Sequence, residues 1–162
     1  MGRTTELRRA LKGTFFNEAM ARGFVVDQRL QPVSTMFRRR VGGIVQIFEV
    51  QWDKYGRPRF AVHFGTCPAE GLRVGDKLFT PGETLPTWCG DVGTLEPHGR
   101  KHGWFRQDAT WLQRLVGRPP LRDPAQVIDE LRTAFRELES YWEKGTVGPR
   151  IRRWALGNSR TR

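Results

Sequence analysis

Cysteine is scarce. Cys67 and Cys89 are the two in 162 residues, and no CxxC is present, so neither a disulfide framework nor a zinc ribbon is encoded. The expected state is two separate reduced thiols. Long apolar runs are also missing. No stretch approaches the roughly 18 residues of a membrane span, and the opening MGRTTELRRA lacks the apolar core of a secretory signal. Glu6 stands where a myristoylation pattern needs Ser or Thr. These absences point to a cytoplasmic chain with no membrane partner. Acidic residues are few: 17 Asp and Glu face 28 Lys and Arg, a net charge of +11. Aromatics are not scarce, at 11% with six Trp and ten Phe, which excludes a disordered chain. One core is expected, since a chain of this length buries roughly 68–70% of its unfolded surface.

The hydrophobic pattern divides into helix, strands and helix. Thr4 or Thr5 caps a first helix whose stripe is Leu7, Leu11, Phe15 and Met20, widened by Phe16 and Ala19. Gly23 closes it. Gly13 lies inside it, either approaching the sheet closely or merely tolerated, and the second is favoured. Strands are expected over Phe24–Leu30, Thr35–Val41, Ile44–Trp52 and Arg59–Thr66. Gly42-Gly43 is a two-residue hairpin turn that sets Val41 opposite Ile44, Arg39 opposite Gln46 and Phe37 opposite Phe48. Apolar matching in the next hairpin sets Val50 opposite Phe60 and Phe48 opposite Val62, with a loop over Asp53–Arg57.

Period-two alternation then sorts the faces. One carries Phe37, Val41, Ile44, Phe48, Val50, Trp52, Phe60, Val62 and Phe64. The other carries Arg38, Arg40, Val45, Ile47, Glu49, Gln51, Ala61 and His63. Past Cys67, prolines and glycines break the pattern. Thr87–Leu95 suggests a further edge strand and Ala109–Val116 a short helix. A long helix starts at Asp123-Pro124, with Gln126 in capping-box position. It runs through Val127, Ile128, Leu131, Phe135, Leu138, Tyr141 and Trp142 to Gly145.

The expected fold is therefore α+β: an antiparallel sheet of four or five strands with the N- and C-terminal helices packed on one face. Residues 1–148 form the single domain, and 149–162 a basic C-terminal tail.

Functional signals are weaker. No GxSxG, HExxH, P-loop or dinucleotide fingerprint is present, so no catalytic residue and no cofactor is assigned. His98 and His102 stand four apart in a loop, and the spacing of Cys67 and Cys89 is far from the two-to-four gap of zinc fingers, so no metal site is assigned. The half-polar face gathers Arg38, Arg40, Glu49, Gln51 and His63, the candidate binding face, since arginine and aromatic residues suit interface anchors. Arg39 and Gln46 form a polar pair on the otherwise apolar face, where a charge needs a partner. They make either a structural network under a helix end, which is favoured, or the lining of a pocket. The positive charge and the tail residues Arg150, Arg152, Arg153 and Trp154 suit nucleic acid, with phosphate attraction and one stacking ring.

The stretch Phe37-Arg38-Arg39, then Gln46-Ile47-Phe48-Glu49-Val50-Gln51-Trp52-Asp53-Lys54-Tyr55-Gly56, then Phe60-Ala61-Val62-His63-Phe64-Gly65, resembles the core of the bacterial family called domain of unknown function 4304. Its setting after a helix ending in Gly23-Phe24 is similar, and Trp104-Phe105 resembles a later aromatic pair. The resemblance covers about the first half of the chain. It implies a small bacterial α+β protein and assigns no reaction. The function expected is non-enzymatic binding of a protein partner, in an immunity or defence role, by analogy with other small domains of this kind. The alternative is a nucleic-acid-associated protein.

Overall fold

A computed structural model describes residues 3–27, 33–97, 103–108, 115, 117 and 120–154. The first helical segment is α1 (Arg3–Leu11), a π-helical turn (Lys12–Phe16) and α2 (Asn17–Ala21) in succession. The π turn has a physical reason. Leu7, Leu11, Phe15 and Ala19 are each four apart, and all are buried. In a regular α-helix each such step drifts by about 40° around the axis. A wider turn absorbs the drift and keeps Phe15 and Phe16 both on the core. Within it, the Thr14 hydroxyl donates to the Ala10 carbonyl (2.7 Å) and the Asn17 amide donates to the Gly13 carbonyl (3.0 Å). A Cβ at Gly13 would meet open space, so this glycine is tolerated rather than needed. Met20, assigned to the stripe, is exposed instead, because the stripe passes through Ala19.

The strands that follow are β1 (Val25–Val26), β2 (Ser34–Val41), β3 (Ile44–Trp52) and β4 (Arg59–Pro68). Then come β5 (Leu72–Val74), β6 (Lys77–Phe79), a 3-10 turn over Pro86–Trp88, β7 (Gly90–Leu95) and β8 (Phe105–Arg106). Helix α3 (Pro124–Lys144) and β9 (Ile151–Arg153) complete the described elements. The main sheet is antiparallel, in the order β1-β2-β3-β4-β7-β9, with β8 also on β4. Its seven strands among the described residues exceed the four or five expected. Strands β1, β8 and β9 have two or three residues each, too few for alternation to show. The expected strand over Phe24–Leu30 shrinks to Val25–Val26 within the described part, and the helix expected over Ala109–Val116 lies, apart from Leu115, outside the described residues.

The Gly42-Gly43 corner sets the expected register: Val41 faces Ile44, Arg39 faces Gln46 and Phe37 faces Phe48. The next hairpin differs by two residues. Val50 faces Val62, Phe48 faces Phe64 and Trp52 faces Phe60. Asp53 explains the longer loop. Its carboxylate accepts from the Tyr55 and Arg57 backbone N–H groups (2.9 and 3.4 Å) and holds the Arg59 guanidinium (2.6 and 2.8 Å). Local polar bonding sets the turn, where apolar matching alone favoured a shorter one. An even slip leaves each side chain on its own face.

The helices pack on one face. Leu7, Leu11, Phe15, Phe16, Val127, Leu131, Phe135 and Leu138 form a single core with Phe37, Phe48, Val50, Phe60, Val62 and Phe64. Phe37 and Phe48 stack at 4.6 Å, and Phe48 meets Phe135 edge-on at 5.0 Å. Val41 and Ile44, though on this side, are 46% and 39% exposed at the hairpin corner. Helix α3 has the expected ends. Asp123 accepts from the Ala125 N–H (2.9 Å), and Gly145 closes the helix at φ 71.

Two expectations about the second half are corrected. The strand in Thr87–Leu95 is not an edge, because β9 pairs along β7, with Leu95 facing Ile151. The segment from 149 accordingly begins as part of the sheet rather than as a tail: Ile151 is buried in the core. Its apolar residue finds a slot that charge counting does not reveal.

Candidate functional site

The second face of the sheet is divided. Residues 69–89 fold back as a two-stranded ribbon, β5-β6, and the 3-10 turn. This excursion roofs one half, where Val45, Ile47, Cys67 and Cys89 form a small second cluster with Ala69 and Leu72. The other half stays open and contains a hollow of about 320 Å³. Strands β3 and β4 supply its floor, Gln51, Ala61 and His63, and Trp104 and Trp154 stand among the residues that line it.

The hollow is built by register. Glu49 lies opposite His63, and Gln51 opposite Ala61. The His63 Nε2 lies 3.0 Å from the Gln51 Oε1. Because an amide oxygen only accepts, Nε2 carries the proton and Nδ1 is the bare nitrogen. That Nδ1 is buried without a partner in the protein. Burial lowers the His63 pKa from its ordinary value, against a smaller upward pull from Glu49, so the imidazole is neutral at pH 7. On the β7 side, the Thr94 hydroxyl accepts from the Trp154 indole N–H (2.9 Å), and the indole meets His63 edge-on at 5.7 Å. Glu96 accepts from the Gly103 N–H (3.4 Å) and has Arg152 at 3.8 Å across the opening. Trp104 carries the Arg59 guanidinium over its ring at 4.6 Å. The result is an aromatic socket with hydrogen-bonding groups on its floor and an ion pair at its rim.

Of the five residues assigned to the binding face, this socket brings together Gln51 and His63, with Glu49 beside them. Arg38 is not on the open surface. Its guanidinium pairs with Asp27 (3.0 Å) and donates to the Pro81 and Thr84 carbonyls (2.8 and 3.1 Å), leaving 13% of the side chain exposed. It is a tie between sheet and roof, which no alternation pattern reveals. Arg40 is exposed at the far end of β2, where its Nε donates to the Gly42 carbonyl at 3.5 Å. Arg39 and Gln46 do pair: two guanidinium nitrogens donate to the Gln46 Oε1 (3.0 and 2.8 Å), and a third donates to the Arg22 carbonyl (2.9 Å) at the end of α2. Arg39 also covers the Phe24 ring at 4.3 Å. The pair also lines a shallow cavity beside Glu139 and Trp142.

The basic tail residues are largely engaged. Arg150 pairs with Glu137 (2.6 Å) and Arg153 with Asp91 (3.0 Å), while Trp154 belongs to the socket. Asp91 also accepts from the Tyr141 hydroxyl and has a left-handed backbone, φ 57. Burial, reinforced by that bond, pushes the Tyr141 hydroxyl up to about 12. Sequence reasoning missed Thr94, Glu96 and Trp104 as residues lining the same hollow as His63, although Thr94 fell in the expected strand over Thr87–Leu95. His98 and His102 lie outside the described residues. Among the described residues no helix is long and apolar enough to cross a membrane. The class defined is an α+β protein with an antiparallel sheet, helices on one face and a half-roofed second face. No family model, no curated protein and no solved structure matches the chain.

Proposed function

We propose that this chain is a non-enzymatic binding module whose partner is a protein, and that the partner seats an anchor side chain in the socket over His63. The observation that carries the reading is the pair of indoles, Trp104 and Trp154, facing one opening on an otherwise polar half-sheet. Accessible aromatic side chains with polar groups around them are the arrangement that an interface core uses once a partner covers it. As part of the same reading we propose an immunity or defence role, which rests on analogy with other small domains of the kind that the domain of unknown function 4304 family resembles. The test is a titration of the chain against the protein encoded by the adjacent reading frame. Gln51 is an exposed residue of the socket floor, so Gln51→Arg fills the socket without touching the helix-side core. We expect at least about tenfold weaker binding, about 1.4 kcal/mol, with unchanged melting. Full binding by Gln51→Arg overturns the reading.

A second reading, association with nucleic acid, draws on the charge of +11 and on Tyr55, an exposed ring flanked by Lys54 and Arg57 at 5.0 and 5.6 Å. It requires binding of single strands or duplex at low salt that weakens steeply as salt rises. Engagement of Arg150 and Arg153 with carboxylates counts against the tail as its site.

A further inference from the structure

Cys67 lies near the end of β4, and Cys89 immediately precedes β7. The ladder between these strands pairs Thr66 with Gly90, so one further step of the same register sets Cys67 opposite Cys89. Both thiols are free and buried. They share one small cluster with Val45 and Ile47, in which the Cys67 thiol donates to the Pro68 carbonyl (3.3 Å) and the Cys89 thiol to the Leu85 carbonyl (3.2 Å). Directly opposed residues of an antiparallel pair have Cα atoms about 4.5–5.5 Å apart, inside the ~4.4–6.8 Å that a disulfide spans. Gly65 permits the approach: a Cβ there would stand 2.9 Å from the Cys89 Cβ and 2.8 Å from the Pro86 carbonyl oxygen. Between the two cysteines runs residues 68–88, the roof of the second face. Apart from its own cluster, this roof is tied down by the Arg38 bonds to Pro81 and Thr84.

We propose that Cys67 and Cys89 are a site of covalent modification, closing into an intramolecular disulfide that locks the roof when the chain meets a small-molecule disulfide oxidant. One cysteine thiolate attacks the oxidant RSSR, forming a mixed disulfide and releasing RS⁻. The second thiolate then displaces the remaining RS⁻ and forms the Cys67–Cys89 bond. In sum, two protein thiols and one RSSR give one protein disulfide and two RSH. The protein loses two electrons to the oxidant, and the two thiol protons end on the released thiols. Burial pushes the Cys89 thiol up to about 12, with the neighbouring Cys67 adding to the shift. Since the thiolate is the nucleophile, exchange is slow while the roof is closed and runs through its opening.

The experiment equilibrates the full chain in oxidised and reduced glutathione, starting both from reduced protein and from protein refolded under oxidising conditions. Acid quenching, alkylation after unfolding and intact mass then count the thiols. The expected product is a monomer lighter by two hydrogens, reached from both directions. Cys67→Ser and Cys89→Ser should each instead carry one glutathione or stay reduced. In the disulfide form, proteolytic cleavage within 68–88 should slow by about tenfold, since that opening is suppressed. Two alkylatable thiols from both directions in fully oxidised glutathione would overturn the proposal, as would a bond formed only between chains.

Discussion

His63 is a group whose environment carries a pH signature. Its folded-state pKa is lowered, chiefly by burial, from the ordinary value of 6.5. Between that value and the lower folded one, the unfolded chain binds more protons than the folded chain, so stability rises with pH across this window. The contribution is complete above 6.5 and is lost as pH falls towards the folded pKa. Urea midpoints measured from pH 7.5 down to 5.5 should therefore fall more steeply for the natural chain than for His63→Gln. Equal slopes would mean that the imidazole is not held neutral. The identity of this residue and its place on the second face are legible from alternation. Its burial is not, because Thr94 on β7 and Trp154 just past β9 lie 31 or more residues away in the chain.

At the scale of elements, the docking of β7 depends on a residue without a side chain. A Cβ at Gly93 would stand 2.5 Å from the Phe64 Cζ and 2.6 Å from the Arg152 carbonyl oxygen. Phe64 is fully buried and Arg152 lies on the paired strand β9, so neither neighbour yields cheaply. Gly93→Ala should cost about 1–3 kcal/mol as an overpacked site, read from urea unfolding at pH 7. A cost near zero would show that β7 shifts freely. The β2–β3 hairpin, by contrast, is written locally: two glycines fix its corner, and alternation then fixes both faces. The β3–β4 hairpin shows the boundary of that logic. Apolar matching accepts two registers that differ by two residues, and the Asp53 network chooses between them.

Across the whole molecule, the chain's last described strand covers the edge of β7. Ending the chain at Pro149 removes Ile151 from the core and Trp154 from the socket, and it bares the edge of β7. An uncovered edge strand is a template for pairing with another chain. The shortened protein should melt lower and elute as oligomers in size-exclusion chromatography with light scattering. An unchanged monomer would make the segment dispensable. The excess of basic residues does not mark this role, since net charge speaks to partners and solubility rather than to fold. Several arginines are spent on carboxylates of distant elements, as with Arg132 and Glu18 or Arg22 and Glu139.

By itself the sequence determined the two long helical segments, the Gly42-Gly43 corner and which side chains of β2, β3 and β4 face the helices. Each of these follows from a period or a turn within a few residues. Only the tertiary structure decided the roof over Val45 and Ile47, the meeting of Cys67 with Cys89, and the socket built from β3, β4, β7 and Trp104 beside Trp154. Those contacts join residues far apart in the chain, and several of them depend on β5, β6, β8 and β9, segments of two or three residues. Such segments are too short to carry a pattern, and their stability comes from the surface they cover.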